Sequence, residues 1–508
     1  MSKTDNLYPE YDMGTWLRCC EEEVRKPLEG KIKGEVPSWL SGTLIRNGPG
    51  TIRIGSTEYV HVFDGSALLH RFGIKKGKVT YQCRFLNSET LKKNKKANRI
   101  VITEFGTKSV PDPCHTIFDR ISSIFDPMAF ITDNAGISVH PFGDQVYAMT
   151  EVPTVFRINP KSLETIERKT LIDSLIVCHT AHPHVMPNGD VYNVGVQIIR
   201  GFLKHVIVKF SYSTKGDMFD SAEVVSTIEP RWRFSPTYMH SFGITDNYYV
   251  IIEQPLAISA FGMMKNIIIN KPFSSTLSWY PEYETQILLI NRNTGENIRY
   301  RADTFFFMHI INSFEMDGKL TIDVCSYKDA KIIDAMYVEA IKNADSNPDY
   351  GQWCQCRPKR FEIPLDTPPF AKVEARLLAD VGIEAPRINY DAYNGRSYRY
   401  FYGIGSEVRS KFAGSIIKID TLTGEVKTWR EYDGYPSEPV FIAHPDAKGE
   451  DDGVLLSAVV WGKIDNAVTL IILNATDLQE IARAEFLTPS QVPKCFHGWF
   501  FPEQISIK

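Results

Sequence analysis

The chain contains the stretch Gln286-Ile287-Leu288-Leu289-Ile290, followed at once by Asn291-Arg292-Asn293-Thr294-Gly295-Glu296. An apolar run too short for a helix meets a turn in which a small polar side chain caps the bend and glycine takes positive φ. This reads as a strand entering a hairpin. The pattern returns as Asn159-Pro160-Lys161-Ser162-Leu163-Glu164, Asp420-Thr421-Leu422-Thr423-Gly424-Glu425 and Asn474-Ala475-Thr476-Asp477-Leu478-Gln479, each joining an apolar strand to an amphipathic one. Further strand-like runs occupy Tyr248 to Glu253, Leu320 to Cys325, Ser415 to Ile419, Val454 to Val460 and Val468 to Leu473. Their Val, Ile, Tyr and Phe content is that of strands. The intervals between turns fit four-stranded units of about 40–50 residues plus insertions, arranged around an axis. The expectation is an all-β propeller, which also protects most strand edges.

Helical material is limited. Asp329 to Ala344, with apolar Ile332, Ile333, Met336, Ala340 and Ile341, predicts one helix; shorter pieces are expected near Tyr11 to Glu23 and Asp119 to Phe125. Proline and glycine are spread evenly with no linker-like stretch, so residues 1–508 read as a single domain with cap insertions.

An apolar fraction of 43% with 23% charged residues belongs to an ordinary globular chain, which excludes extensive disorder. The net charge of -4 and the scatter of basic residues give no nucleic-acid footprint. The one dense basic run, Lys92-Lys93-Asn94-Lys95-Lys96, reads as a solvated turn. Nine cysteines without regular spacing fit reduced thiols, and the polar start has no secretory pattern, so a cytoplasmic protein is expected. No apolar run approaches the roughly 18 residues of a membrane-spanning helix.

The chemistry lies in four of the twelve histidines: His182 in Thr180-Ala181-His182-Pro183-His184, His240 in Met239-His240-Ser241-Phe242-Gly243, His309 in Phe307-Met308-His309-Ile310, and His497 in Cys495-Phe496-His497-Gly498. Each borders a strand-like segment and has small or aromatic neighbours, as inner strands crowding an axis require. Four neutral imidazoles from distant segments would hold a redox-capable cation without cancelling its charge. Such rings need partners for their second nitrogen, and Glu151, Glu438 and Glu485 are candidates.

The chain resembles the carotenoid cleavage oxygenase family. The likeness rests on Gly42-Thr43-Leu44-Ile45-Arg46-Asn47-Gly48-Pro49-Gly50, Phe63-Asp64-Gly65, Thr132-Asp133-Asn134, Ala181-His182-Pro183-His184, His240-Ser241-Phe242, Ser437-Glu438-Pro439, His444-Pro445-Asp446-Ala447 and Phe496-His497-Gly498, in that order over nearly the whole chain. Within the family it is most similar to the animal branch, and inside that to the insect isomerooxygenases. The resemblance implies a seven-bladed β-propeller with a helical and loop cap, and a ferrous ion held by His182, His240, His309 and His497. It also implies that Glu151, Glu438 and Glu485 orient three of the rings, and it returns His179, His184 and His444 to structural roles.

The implied reaction inserts O2 across one carotenoid double bond to give two carbonyl products, with a neighbouring bond twisted from trans to cis. A retinoid isomerohydrolase acting on retinyl esters, and a propeller that binds carotenoid or retinoid without catalysis, remain open alternatives. Phe105 and Thr150 match substrate-lining positions of animal relatives. A water-insoluble substrate calls for an apolar entrance at a membrane surface. One candidate segment contains Phe118 and Ile121 beside Cys114, a possible acylation site; the other contains Phe261, Met263, Met264, Ile267 and Ile268 around Lys265. Peripheral membrane association of a cytoplasmic enzyme is therefore expected.

Overall fold

The computed structural model describes residues 6–110, 132–171, 176–213 and 217–503. Seven antiparallel sheets of four or more strands follow one another along the chain as the blades of a β-propeller. From the axis outward, the second blade is Ser138–Phe142, Gln145–Met149, Thr154–Ile158 and Thr165–Thr170. The fourth is Gly243–Ile244, Tyr248–Glu253, Thr285–Asn291 and Asn297–Ala302. The fifth begins with Phe306–Met316, and the sixth with Ile383–Arg387.

The repeated turn has one place in this plan. All four copies join the third strand of a blade to its fourth, in the second, fourth, sixth and seventh blades. The side-chain oxygens of Asn159, Asn291, Asp420 and Asn474 accept backbone N–H groups two residues ahead. The fifth position takes the left-handed conformation in every copy, as Gly295 and Gly424 but also as Leu163 and Leu478. Those leucines accept a conformation glycine would take without strain because their side chains are buried between strands.

The middle strands read as unbroken apolar runs because both faces of a blade are covered. Along Tyr248–Glu253, Tyr249 and Ile251 pack toward Val194 and Ile207 of the third blade, while Val250 and Ile252 pack toward Phe307, Leu320 and Ile322 of the fifth. Closure uses both ends of the chain. Lys31–Gly34 forms the outer strand of the seventh blade, and Gly498–Pro502 forms the innermost strand of the first, beside Gly42–Thr51. Gly48 allows that approach, since a Cβ there would lie 2.6 Å from Cys495 Cα.

Three expectations change. The segment expected as one helix is broken into Lys331–Ala335 and Val338–Lys342, because Tyr337 between them turns to extended backbone that pairs with the segment at His61, and the N–H of Val338 donates to Val60 O. The Lys92 to Lys96 run is helical, within Glu89–Ala97, where Asn94 is buried and hydrogen-bonds Tyr59, Val101 and Ile102. Tyr11 to Glu23 holds only the short 3-10 turn Met13–Leu17. The cap over one end of the axis includes the strand pair Leu256–Ile258 and Leu277–Trp279 with the helix Ala260–Ile269. Among the described residues no helix is long and apolar enough to cross a membrane, and all eight described cysteines are free.

Candidate metal centre

Each blade delivers one side chain to the axis. His497 precedes the innermost strand of the first blade, His182 lies between the two inner segments of the third, His240 precedes the inner strand of the fourth, and His309 lies in that of the fifth. The remaining three blades supply Glu151, Glu384 and Glu438. The pleat of the fifth blade's inner strand is interrupted on both sides of Ile310, a bulge that turns His309 to the axis. Ser241 fixes the spacing between neighbours: its hydroxyl donates to Met308 O at 2.6 Å and accepts Ile310 N–H at 3.0 Å. Ser138 donates to the carbonyl of Ala181 and so seats His182.

One nitrogen of each of the four rings lies within 4.8 Å of the others. Nε2 of His182 is 3.0 Å from Nε2 of His240. The opposite nitrogens of three rings are held by carboxylates: His240 Nδ1 is 2.6 Å from Glu151, His309 Nδ1 2.6 Å from Glu384, and His497 Nδ1 2.8 Å from Glu438. A carboxylate accepts the Nδ1 proton, which leaves the Nε2 lone pair directed at the centre; that is the tautomer a metal ligand needs. His309 Nε2 is buried with no hydrogen-bond partner among the described residues. A buried acceptor left alone is costly, and a cation at the centre of the cluster satisfies it. A four-imidazole donor set suits iron, copper, zinc or nickel, so the residues fit a metal ion.

Electrostatics favours the same state. Burial lowers the His182 pKa well below its usual value, reinforced by the neighbouring imidazoles, and burial brings His497 down to about 4 despite Glu438. Both rings are neutral near pH 7. Burial would raise the Glu438 carboxyl, but Arg387 and His497 outweigh it and hold the group ionised. Burial likewise opposes ionisation of Glu384, and its interaction with the His309 ring, together with the N–H of Ala385, lowers its pKa overall. Arg46, from the Gly42 to Gly50 motif, is fully buried and donates to the carbonyls of Glu438 and Phe496 at 2.8 Å each. It clamps a carboxylate segment to a histidine segment.

Glu485 does not reach the axis. It lies in the strand Glu480–Leu487 of the seventh blade, paired with Lys33 on the edge strand and 30% exposed. Glu384 stands in the place expected for it. A signal was present: Glu151-Val152-Pro153, Glu384-Ala385-Pro386 and Glu438-Pro439 each put proline within two residues of the acid, where strand pairing is interrupted or ends, and Glu485 has none so near. Converting Glu384 to Gln should weaken metal retention about 10–100-fold, the usual cost of losing a carboxylate behind a ligating imidazole. The same change at Glu485 should leave it unaltered, with metal content after dialysis against a chelator as the measurement.

Phe105 lies on the cap side, where its ring contacts Phe63 at 5.4 Å and Phe273 at 5.9 Å. Phe63 in turn contacts Phe496, the residue before His497. Thr150 is buried, directly before Glu151. His184 bonds Phe242 O and is positioned by Tyr390 and Asn394, not turned to the metal cluster. On the helix Ala260–Ile269, Phe261 is 69% and Met264 66% exposed. Met263, expected beside them, is half-buried and packs against the hydrophobic cluster that contains Leu256, Ile258 and Phe306. Phe118, Ile121 and Cys114, with the side chains of Ile267 and Ile268, lie outside the described residues.

The family model for retinal pigment epithelial membrane protein matches residues 17–502. Carotenoid isomerooxygenase of Galleria mellonella is 56% identical, with 99% of each chain covered, and its Drosophila melanogaster namesake is 40% identical over 98% of this chain and 94% of that protein. Among solved structures, a variant of Synechocystis apocarotenoid oxygenase superposes with a TM-score of 0.77 at 22% identity, covering 98% of this chain and 100% of that one, a likeness of fold. With its seven blades and an identity of 56% over almost its full length, the chain belongs to the carotenoid oxygenase family.

Proposed function

We propose that this protein is a non-haem iron(II) dioxygenase that cleaves one double bond of a carotenoid into two carbonyl products, with coupled trans-to-cis isomerisation. The observation that carries the reading is the axial cluster, in which four imidazoles bring one nitrogen each to a common centre and three are fixed from behind by glutamates. His182, His240, His309 and His497 would hold the iron. When bound, the ion supplies the activation of O2. The chain's own residues do the rest. Glu151, Glu384 and Glu438 fix ring orientation, and Tyr238 adds its hydroxyl to Glu151 at 2.9 Å. Phe105 and Thr150 meet the polyene, and the aromatic side walls of Phe63 and Phe105 keep water from it. Their negative ring faces also favour a polyene that becomes cation-like as it twists.

The test is anaerobic loading with Fe(II), then addition of O2 and a carotenoid. Loss of the polyene absorption with appearance of shorter aldehydes, one of them in a cis form, is the expected result. Intact substrate, or retinol from retinyl ester without O2, would overturn it.

A polyene is delivered from a bilayer, and the proposed landing surface is the exposed edge of the helix Ala260–Ile269. Phe261, Met264 and Ile269 are exposed there with Lys265, and Phe234, itself 47% exposed, contacts Phe261 at 5.9 Å. Apolar side chains beside a lysine suit peripheral docking without spanning. Phe261→Glu with Met264→Glu should reduce co-sedimentation with anionic liposomes at least about fivefold. Unchanged sedimentation would refute the landing surface and leave the iron chemistry standing.

A further inference from the structure

The innermost strands of a propeller run side by side along its axis, so residues before and after each ligand face opposite ends of the molecule. On one side lie the residues that precede the histidines: Phe496 against Phe63, and Tyr238 and Met308 within the apolar cluster under the cap. The residues that follow have another character. His184, Ser241, Asn312, Arg387, Tyr390 and Asn394 line a cavity that also contains His182, His309, Glu438 and His497 in its wall. This cavity is therefore continuous from the metal cluster to its far rim, where His184, Tyr390 and Trp499 are partly exposed. Nothing in the carotenoid reaction as proposed uses this side.

A polyene has no polar group for imidazole, amide and hydroxyl to recognise, and it has its own apolar approach. A hydrated divalent cation needs the reverse, a path of exchangeable oxygen and nitrogen donors. The carboxylate in the cavity wall, Glu438, is paired with the guanidinium of Arg387, Nε to Oε1 at 2.9 Å. At the rim, Asn394 Oδ1 lies 3.1 Å from His184 Nδ1, and the two rings of His184 and Tyr390 stack at 9°.

We infer that this axial passage is the route by which the metal ion enters and leaves, separate from the route of the substrate. The inference rests on the reading of the four histidines as a metal site. Apo-protein, stripped by chelator without O2, is mixed with excess Co2+, and the visible absorption of the nitrogen-ligated ion is followed by stopped flow. Asn394→Lys places an ammonium at the rim, and His184→Leu replaces a donor with an apolar group. Each should slow uptake at least about tenfold with the same final stoichiometry and spectrum, while Phe105→Trp on the cap side stays within about twofold of the unaltered protein. Loading of both rim variants at the unaltered rate, or slowing by Phe105→Trp alone, would overturn the route. Failure of the unaltered protein to take up Co2+ would instead overturn the metal site, and the route with it.

Discussion

His182→Ala should leave a folded protein that retains less than about a tenth of an equivalent of iron and turns over carotenoid at under about a hundredth of the normal rate. The reasoning is geometric. His182 is the one ring of the four without a carboxylate hydrogen bond among the described residues, and its Nε2 lies 3.0 Å from that of His240. Its removal deletes a ligand without stranding a buried glutamate, which His309→Ala would do to Glu384. Metal analysis, far-UV circular dichroism and product formation on one sample distinguish the cases. Full activity in this variant would refute the ligand assignment, and normal carotenoid binding without turnover in the unaltered protein would favour a carrier.

The largest effect on stability is expected away from the axis. Asp323 and Arg360 face each other across neighbouring strands of the fifth blade, both buried, joined by Nε to Oδ1 at 2.8 Å and Nη2 to Oδ2 at 2.7 Å. Tyr398, just before the second strand of the sixth blade, donates to the same carboxylate at 2.6 Å. Asp323→Ala would leave a guanidinium and a phenol hydroxyl buried without their acceptor, at a cost of about 3–5 kcal/mol. Asp323→Leu combined with Arg360→Met removes both charges and should recover most of that loss, read as the midpoint of denaturant unfolding. Equal losses in the single and double variants would mean that the pair contributes by packing alone.

What was legible in the sequence follows how local each signal is. The Asn291 to Glu296 turn and its three relatives are each complete within six residues, so the hairpins and their blade spacing could be read directly. The four histidines stood out through their neighbours, Ala181, Ser241 and Phe496, which pack or bridge inner strands. Glu384 was missed because its role exists only across blades: it is chosen by the position of His309, 75 residues earlier. The proline two places on is a weak mark that becomes readable when three acids are laid side by side. The helix expected at Asp329 to Ala344 failed for a related reason, since a long-range pairing of Val338 with Val60 overrode its local periodicity. Met263 shows the limit of hydropathy, which marks an apolar helix without saying which side meets the core.

The closing strand Gly498–Pro502 begins immediately after His497. A ribosome therefore releases the segment that seals the ring and the last nitrogen donor together, after the strands of all the other blades. A partly made or C-terminally clipped chain lacks both and has no complete place to hold an oxygen-reactive ion. In biosynthetic terms, a metal held by the four imidazoles could be bound only after the ring has closed, so its occupancy would record that closure.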